Sequence, residues 1–207
     1  MKKLDNRQKQ ILIDYGFEEK QIEQIIKKKI SEKTIDVLMS NIPEVLDFPY
    51  LLTFKEIKKI VFRAGGGRNL VAFLKNFSIL VEIGCTKEQI IKVVAHNGGS
   101  KNIQAFKKEF HELQSLGLST EQILKMVSHH GGSQNIQAFK KEFHELQSLG
   151  LTIEQMLQIV SHIGGSKNIQ AFKKEFHELQ PLGLTTEQIL KIVSHGGGSQ
   201  NIQAFKK

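Results

Sequence analysis

Ser128-His129-His130-Gly131-Gly132-Ser133 decides how the rest of the chain is read. The same frame returns as Ala95-His96-Asn97-Gly98-Gly99-Ser100, Ser161-His162-Ile163-Gly164-Gly165-Ser166 and Ser194-His195-Gly196-Gly197-Gly198-Ser199, at intervals of 33 residues. Its third residue is Asn97, His130, Ile163 or Gly196, and no other repeat position carries four residue types in four copies. A frame held fixed around one varied residue points to a reader with interchangeable contact residues.

Working outward, full repeats run 85–117, 118–150 and 151–183, and a partial copy covers 184–207. The segment Asn-Ile-Gln-Ala-Phe-Lys-Lys-Glu-Phe-His-Glu-Leu-Gln is identical at 102–114, 135–147 and 168–180. This period, with two helical patterns per unit, predicts an all-α chain arranged as an α-solenoid. In copy 118–150 the first helix is expected from near Thr120 to about Ser128, capped by Ser119 or Thr120, with Ile123, Met126 and Val127 buried. Gly131-Gly132 then breaks the helix. Ser133 is the expected cap of the second helix, whose core stripe is Ile136, Phe139, Phe143 and Leu146, and Gly150 stops it. Pro181, in place of Ser148, is expected beyond the helix end of its own copy.

Residues 1–84 read as a worn version of the same pattern. Counting back 33 residues, Lys55–Val61 matches the first helix, 62–68 the loop, and Leu70, Phe73, Phe77 and Leu80 the second stripe. A further copy starts near Phe17, with Lys27-Lys28-Lys29 where the glycines would be. Residues 1–16 are expected as a lone capping helix. Pro43 and Pro49 are expected to bracket a connector.

The formal charge is +8, spread evenly as +4 in residues 1–84 and +4 in 85–207, which favours polyanionic partners. The single cysteine, Cys85, occupies a position that is Leu in the later copies, so it is expected as a small buried apolar residue. One cysteine allows no disulfide within the chain, which suits a reducing compartment. The N-terminus has no apolar run behind its charges, which argues against a secretory signal, and no stretch is long enough to span a bilayer. The expected location is intracellular: a bacterial cytoplasm or, for a secreted effector, a host nucleus.

Catalysis is not expected. His111-Glu112 begins like a zinc-protease helix, but Ser115 stands where a second His is required. Gly98-Gly99-Ser100-Lys101 lacks the spacing of a phosphate-binding P-loop. No cofactor, metal, small-molecule substrate or membrane partner is implied, and the chain is expected to be a monomer.

The loop's chemistry suits a nucleic acid. Amides at a helix N-terminus, followed by Lys101, Gln134, Lys167 or Gln200, make a phosphate-binding edge. Wound outside a duplex at a radius of roughly 15 Å, a 36° step spans about 10 Å of arc, one helix width. Inter-helix loops could then point into the major groove. There Asn97 can donate to a purine N7, Ile163 offers apolar contact and Gly196 leaves room for a thymine methyl. The preceding His never varies and is expected to brace the loop.

Leu184-Thr185-Thr186-Glu187-Gln188 opening a unit, with Ser194-His195-Gly196-Gly197-Gly198 at its loop, resembles the TAL effector and TAL-like DNA-binding repeats. The resemblance covers 85–207 strongly and 17–84 weakly. It implies a right-handed superhelical α-solenoid of two-helix, 33-residue repeats. It also implies a partner in double-stranded DNA, read one base per repeat along one strand, and a role in transcription regulation. Carried over, Asn97 would favour guanine or adenine, Ile163 adenine and Gly196 thymine, with the base for His130 left open. His96, His129, His162 and His195 would brace the loops. Gly98, Gly131, Gly164 and Gly197, with Lys101, Gln134, Lys167 and Gln200, would meet phosphates. The N-terminal copies would supply sequence-independent affinity through Lys27, Lys28, Lys29, Arg63 and Arg68. The chain departs from the family in having His111, His144 and His177 where a proline is usual, and in having no Trp. The competing expectation is an α-solenoid that binds proteins, but such repeats spread their variation over a helix face rather than one loop position.

Overall fold

A computed structural model of the chain describes residues 4–28, 30–96, 98–128, 131–161 and 165–194. The described residues are all-α. By internal contacts the chain divides into Met1–Ile103 and Gln104–Lys207.

The first unit opens with α1 (Asn6–Asp14), α2 (Glu19–Lys27) and α3 (Glu32–Leu46), followed by α4 (Phe54–Val61), α5 (Gly66–Glu82) and α6 (Lys87–Val94). Helix α7 (Gly99–Ser115) begins there and continues into the second unit. The second unit then carries α8 (Thr120–Val127), α9 (Gly132–Ser148), α10 (Ile153–Val160), α11 (Gly165–Leu179) and α12 (Thr186–Ser194).

Short and long helices alternate for a local reason. The short ones each start behind a capping box: Thr53 with Glu56, Thr86 with Gln89, Ser119 with Gln122, and Thr152 with Gln155. The cap hydroxyl accepts the amide three residues on, and that residue's side chain accepts the cap's own N–H. The expected start near Thr120 is therefore met, with Ser119 as the cap. In the first unit α4 packs on α5 and α6, and α3 on α5; in the second, α9 packs on α8, α10 and α11.

Within each unit the core is built on phenylalanines that recur every 33 residues in the sequence. Phe73, Phe106, Phe139 and Phe172 are no more than 1% exposed, and each lies 5.0–5.5 Å, ring centre to ring centre, from a second Phe one turn on. Cys85 is buried as expected, and burial pushes its thiol pKa up. His111, His144 and His177 are exposed and sit edge-on against Phe110, Phe143 and Phe176.

Pro43 departs from the sequence expectation, while Pro181 lies beyond the helix end as expected. Pro43 lies inside α3, not in a connector, because Leu38, Ile42 and Val45 are fully buried on both sides of it. That burial outweighs the missing amide hydrogen bond. The connector is the stretch 47–53, which includes Pro49. Pro181 falls where Ser148 is the last residue of α9; there α11 stops at Leu179, two residues short, and a 3₁₀ turn over Gln180–Leu182 follows. At the N-terminus α1 is the expected lone helix, closed by an Asp5–Gln8 capping box and packed on α2. Among the described residues no helix is long and apolar enough to cross a membrane.

Candidate nucleic-acid interface

In the described loops the two glycines do different jobs. Gly98 has φ +83°, and Gly65 and Gly131 have +77° and +81°, a left-handed conformation that a Cβ resists. The next glycine is needed for space. A Cβ on Gly99 would lie 2.1 Å from the carbonyl oxygen of Val94, and Gly66, Gly132 and Gly165 meet Val61, Val127 and Val160 at 2.0–2.2 Å. Each long helix thus starts pressed against the last carbonyl of the short helix before it. This corrects the expected cap: Gly131 is the N-cap of α9, and Ser133 already lies within its first turn.

The same packing limits which groups of the expected phosphate-binding edge are free to face outward. Gly99 N–H donates to His96 O (2.9 Å), and the N–H groups of Lys101 and Asn102 donate to Gly98 O (2.8 and 3.0 Å). Ser100 N–H donates to the Asn69 side chain (3.0 Å). Among the described residues the Gly98 N–H donates to no group, and Gly98 is exposed. The outward groups are therefore a glycine amide and the exposed side chain of Lys101; Gln134 and Lys167 are exposed likewise.

Asn69 is a brace that sequence reasoning missed. It is 1% exposed, it accepts from Ser100 N–H, and its Nδ2 donates to His96 O at 3.2 Å. One buried amide on the long helix of one copy thus ties both sides of the next copy's loop. Its counterparts Asn102, Asn135 and Asn168 are 1–3% exposed. The signal was present: this Asn survives even in the worn copy 52–84.

The base-reading candidates Asn97, His130, Ile163 and Gly196 lie outside the described residues, as do His129, His162, His195, Gly164, Gly197, Gln200 and Lys29. His96 is half-buried at the edge of its loop.

The N-terminal cations gather more neighbours than the sequence named. Lys27, Lys28, Lys58, Lys59 and Arg63 line an open groove between α2 and α4 of about 550 Å³, with no carboxylate on its walls. Lys59 and Arg63 also border the adjoining groove between α4 and α6, together with Lys92. Lys58, Lys59 and Lys92 come into play because each sits in the last turn of a short helix. Arg68 is exposed in the first turn of α5, at the position Lys101 fills one copy later, and lines neither groove.

In the second unit, adjacent identical lysines have opposite fates. Lys140 bridges Glu109 and Glu112 of the preceding copy, and Lys173 bridges Glu142 and Glu145 (2.6 Å to the outer glutamate in each case). The hydrogen bond from Lys140 holds the Glu109 carboxyl below its ordinary pKa, and Lys173 does the same to Glu142. Lys141 and Lys174 instead stand 78% exposed, 3.7 Å from a sequence neighbour.

No group of three or more His, Cys, Asp or Glu side chains among the described residues could hold a metal ion. No protein-family model matches the chain, and a search of curated proteins finds none that matches it.

Proposed function

We propose that the chain is a double-stranded DNA-binding protein that reads one base per repeat through its inter-helix loops, set in the major groove. In this reading 85–207 is a right-handed superhelical α-solenoid of 33-residue units, and 1–84 adds sequence-independent affinity. One observation carries it. Each loop frame is fixed by two glycines with separate structural duties, at Gly65-Gly66, Gly98-Gly99 and Gly131-Gly132. Within that frame, one residue takes four identities in four copies. A protein-binding array has no need to hold a loop so constant around one variable contact.

The groove of Lys27, Lys28, Lys58, Lys59 and Arg63 supports the assignment of the N-terminal copies to the phosphate backbone. Four reading residues give modest selectivity, since a correct base contact contributes about 1–3 kcal/mol. Binding should be weak and strongly salt-dependent, with a purine–any–adenine–thymine preference opposite Asn97, His130, Ile163 and Gly196.

The test is fluorescence anisotropy on duplexes varied one base at a time, with an Ile163→Gly variant. A preference that moves from adenine to thymine at that one position supports base reading. Salt-sensitive binding without a shift refutes the code and leaves a backbone binder. No binding at low salt refutes the nucleic-acid reading and favours a protein-binding array.

A further inference from the structure

The long helices of the second unit carry a basic groove that neither the loop frame nor the N-terminal cations account for. It runs between α9 and α11, has a volume of about 570 Å³, and is walled by Lys141, Lys167 and Lys174. Ala138 and Ala171 also line it, and their short side chains leave the gap between the helices open. The carboxylate on its wall, Glu142, is 5% exposed; Lys173 pairs with one oxygen, Gln170 donates to the other at 3.1 Å, and Lys141 forms a looser ion pair with that second oxygen at 3.7 Å. The groove therefore presents three exposed lysines, of which Lys141 and Lys174 keep only long ion pairs of 3.7 Å to Glu142 and Glu175, while the Glu142 carboxylate is held mainly by Lys173.

Its position is informative. Lys167, Gln170, Ala171 and Lys174 fall on one face of α11, so the groove starts at the loop's outward edge and continues up the helix. Lys141 is the tenth residue of α9, which places its Cα about 13.5 Å along the axis from the helix start. Its side chain leans back toward that start. If the loop touches base edges, the ammonium groups stand near the groove rim, about 8.5 Å above them, where the phosphates are.

We propose that this groove is a second anion subsite, in which Lys141 and Lys174 hold a phosphodiester of the duplex whose bases the loops read. The proposal rests on the DNA-binding reading. It extends the phosphate contacts beyond Lys167 to residues two turns further along the helix. The alternating partner at the start of the long helix then has a consequence: where Gln134 replaces Lys167, the equivalent groove has one cation fewer.

The experiment compares the full chain with a Lys141→Ala/Lys174→Ala variant on a duplex of unrelated sequence, from about 50 to about 200 mM salt. Each phosphate neutralised contributes about 0.9 to the log–log salt slope, and the two lysines share one, so the variant's slope should be shallower by about 0.9, with affinity about 8-fold weaker near 0.1 M salt. A Lys20→Ala/Lys33→Ala variant, which removes equal charge from exposed sites elsewhere, should change the slope by much less. A wild-type slope in the groove variant, or an equal loss in the control, overturns the subsite while leaving DNA binding in place. Absence of binding by the wild-type chain overturns both.

Discussion

Replacing each loop glycine of one copy by alanine separates conformational strain from steric exclusion. At Gly98 an added Cβ meets nothing within 4 Å, so the cost is that of holding an L-residue at φ +83°, about 1–2 kcal/mol. At Gly99 the backbone angle is ordinary for a helix, but the Cβ would sit 2.1 Å from Val94 O and 2.6 Å from Val94 C and Cα. These are backbone atoms, so relief requires moving one helix against the other. That places the cost at or above the upper end for overpacking, about 3 kcal/mol. At roughly 2–4 °C per kcal/mol, Gly98→Ala should lower Tm by about 2–8 °C and Gly99→Ala by about 6–12 °C or more. Circular-dichroism melts of the two variants, beside Gly98→Asn, make the comparison. Asn tolerates the left-handed region and should recover much of the Gly98→Ala loss. Equal losses at the two positions, or no recovery by Asn, would refute the division of labour between the glycines.

Two further outcomes follow from the loop brace and the ion-pair ladder. Asn69→Ala removes two hydrogen bonds across the loop, to Ser100 N–H and His96 O, at a cost of about 1–3 kcal/mol. Native-state exchange should show the Ser100 amide losing protection ahead of the α7 core. Glu109 and Glu142 have carboxyl pKa values lowered by Lys140 and Lys173, so their stabilising effect is present above the unfolded value, about 4.3, and is lost as pH falls through the lower folded value. The lysines, raised by the same contacts, lose their contribution only as pH rises past their folded values, above about 10.4. Urea midpoints of the wild type and of Lys140→Met/Lys173→Met should therefore differ most near neutral pH and converge by about pH 2.

Much of the fold was legible because it is set locally. The cap at Ser119, the stripe Ile136, Phe139, Phe143 and Leu146, and the stop at Gly150 each follow from residues within a turn or two. What escaped depends on contacts between copies. Asn69 is kept even in the worn copy, but nothing near it in sequence shows that it acts on a loop 27 residues away. Lys140 and Lys141 are indistinguishable in sequence, yet the helix turn between them sends one to two glutamates and the other to solvent. Ser133 looked like a cap because serine usually is one; the contact between Gly132 and Val127 starts the helix earlier. Pro43 looked like a boundary, and the buried residues around it carried the helix through.

The Lys140 and Lys173 bridges have a consequence for how such a chain can change length. Each joins a copy to the one before it through residues that are identical in 102–114, 135–147 and 168–180. A recombination event that duplicates or deletes one 33-residue unit within this stretch therefore recreates every junction with the same chemistry. The worn copy is not interchangeable in this way. Asn76 stands there in place of the paired glutamate, and its side chain turns back to Ala72 O at 2.7 Å. Copy number can change on the C-terminal side of residue 85 with these ion pairs kept intact, whereas a copy joined onto 52–84 would lose its paired glutamate.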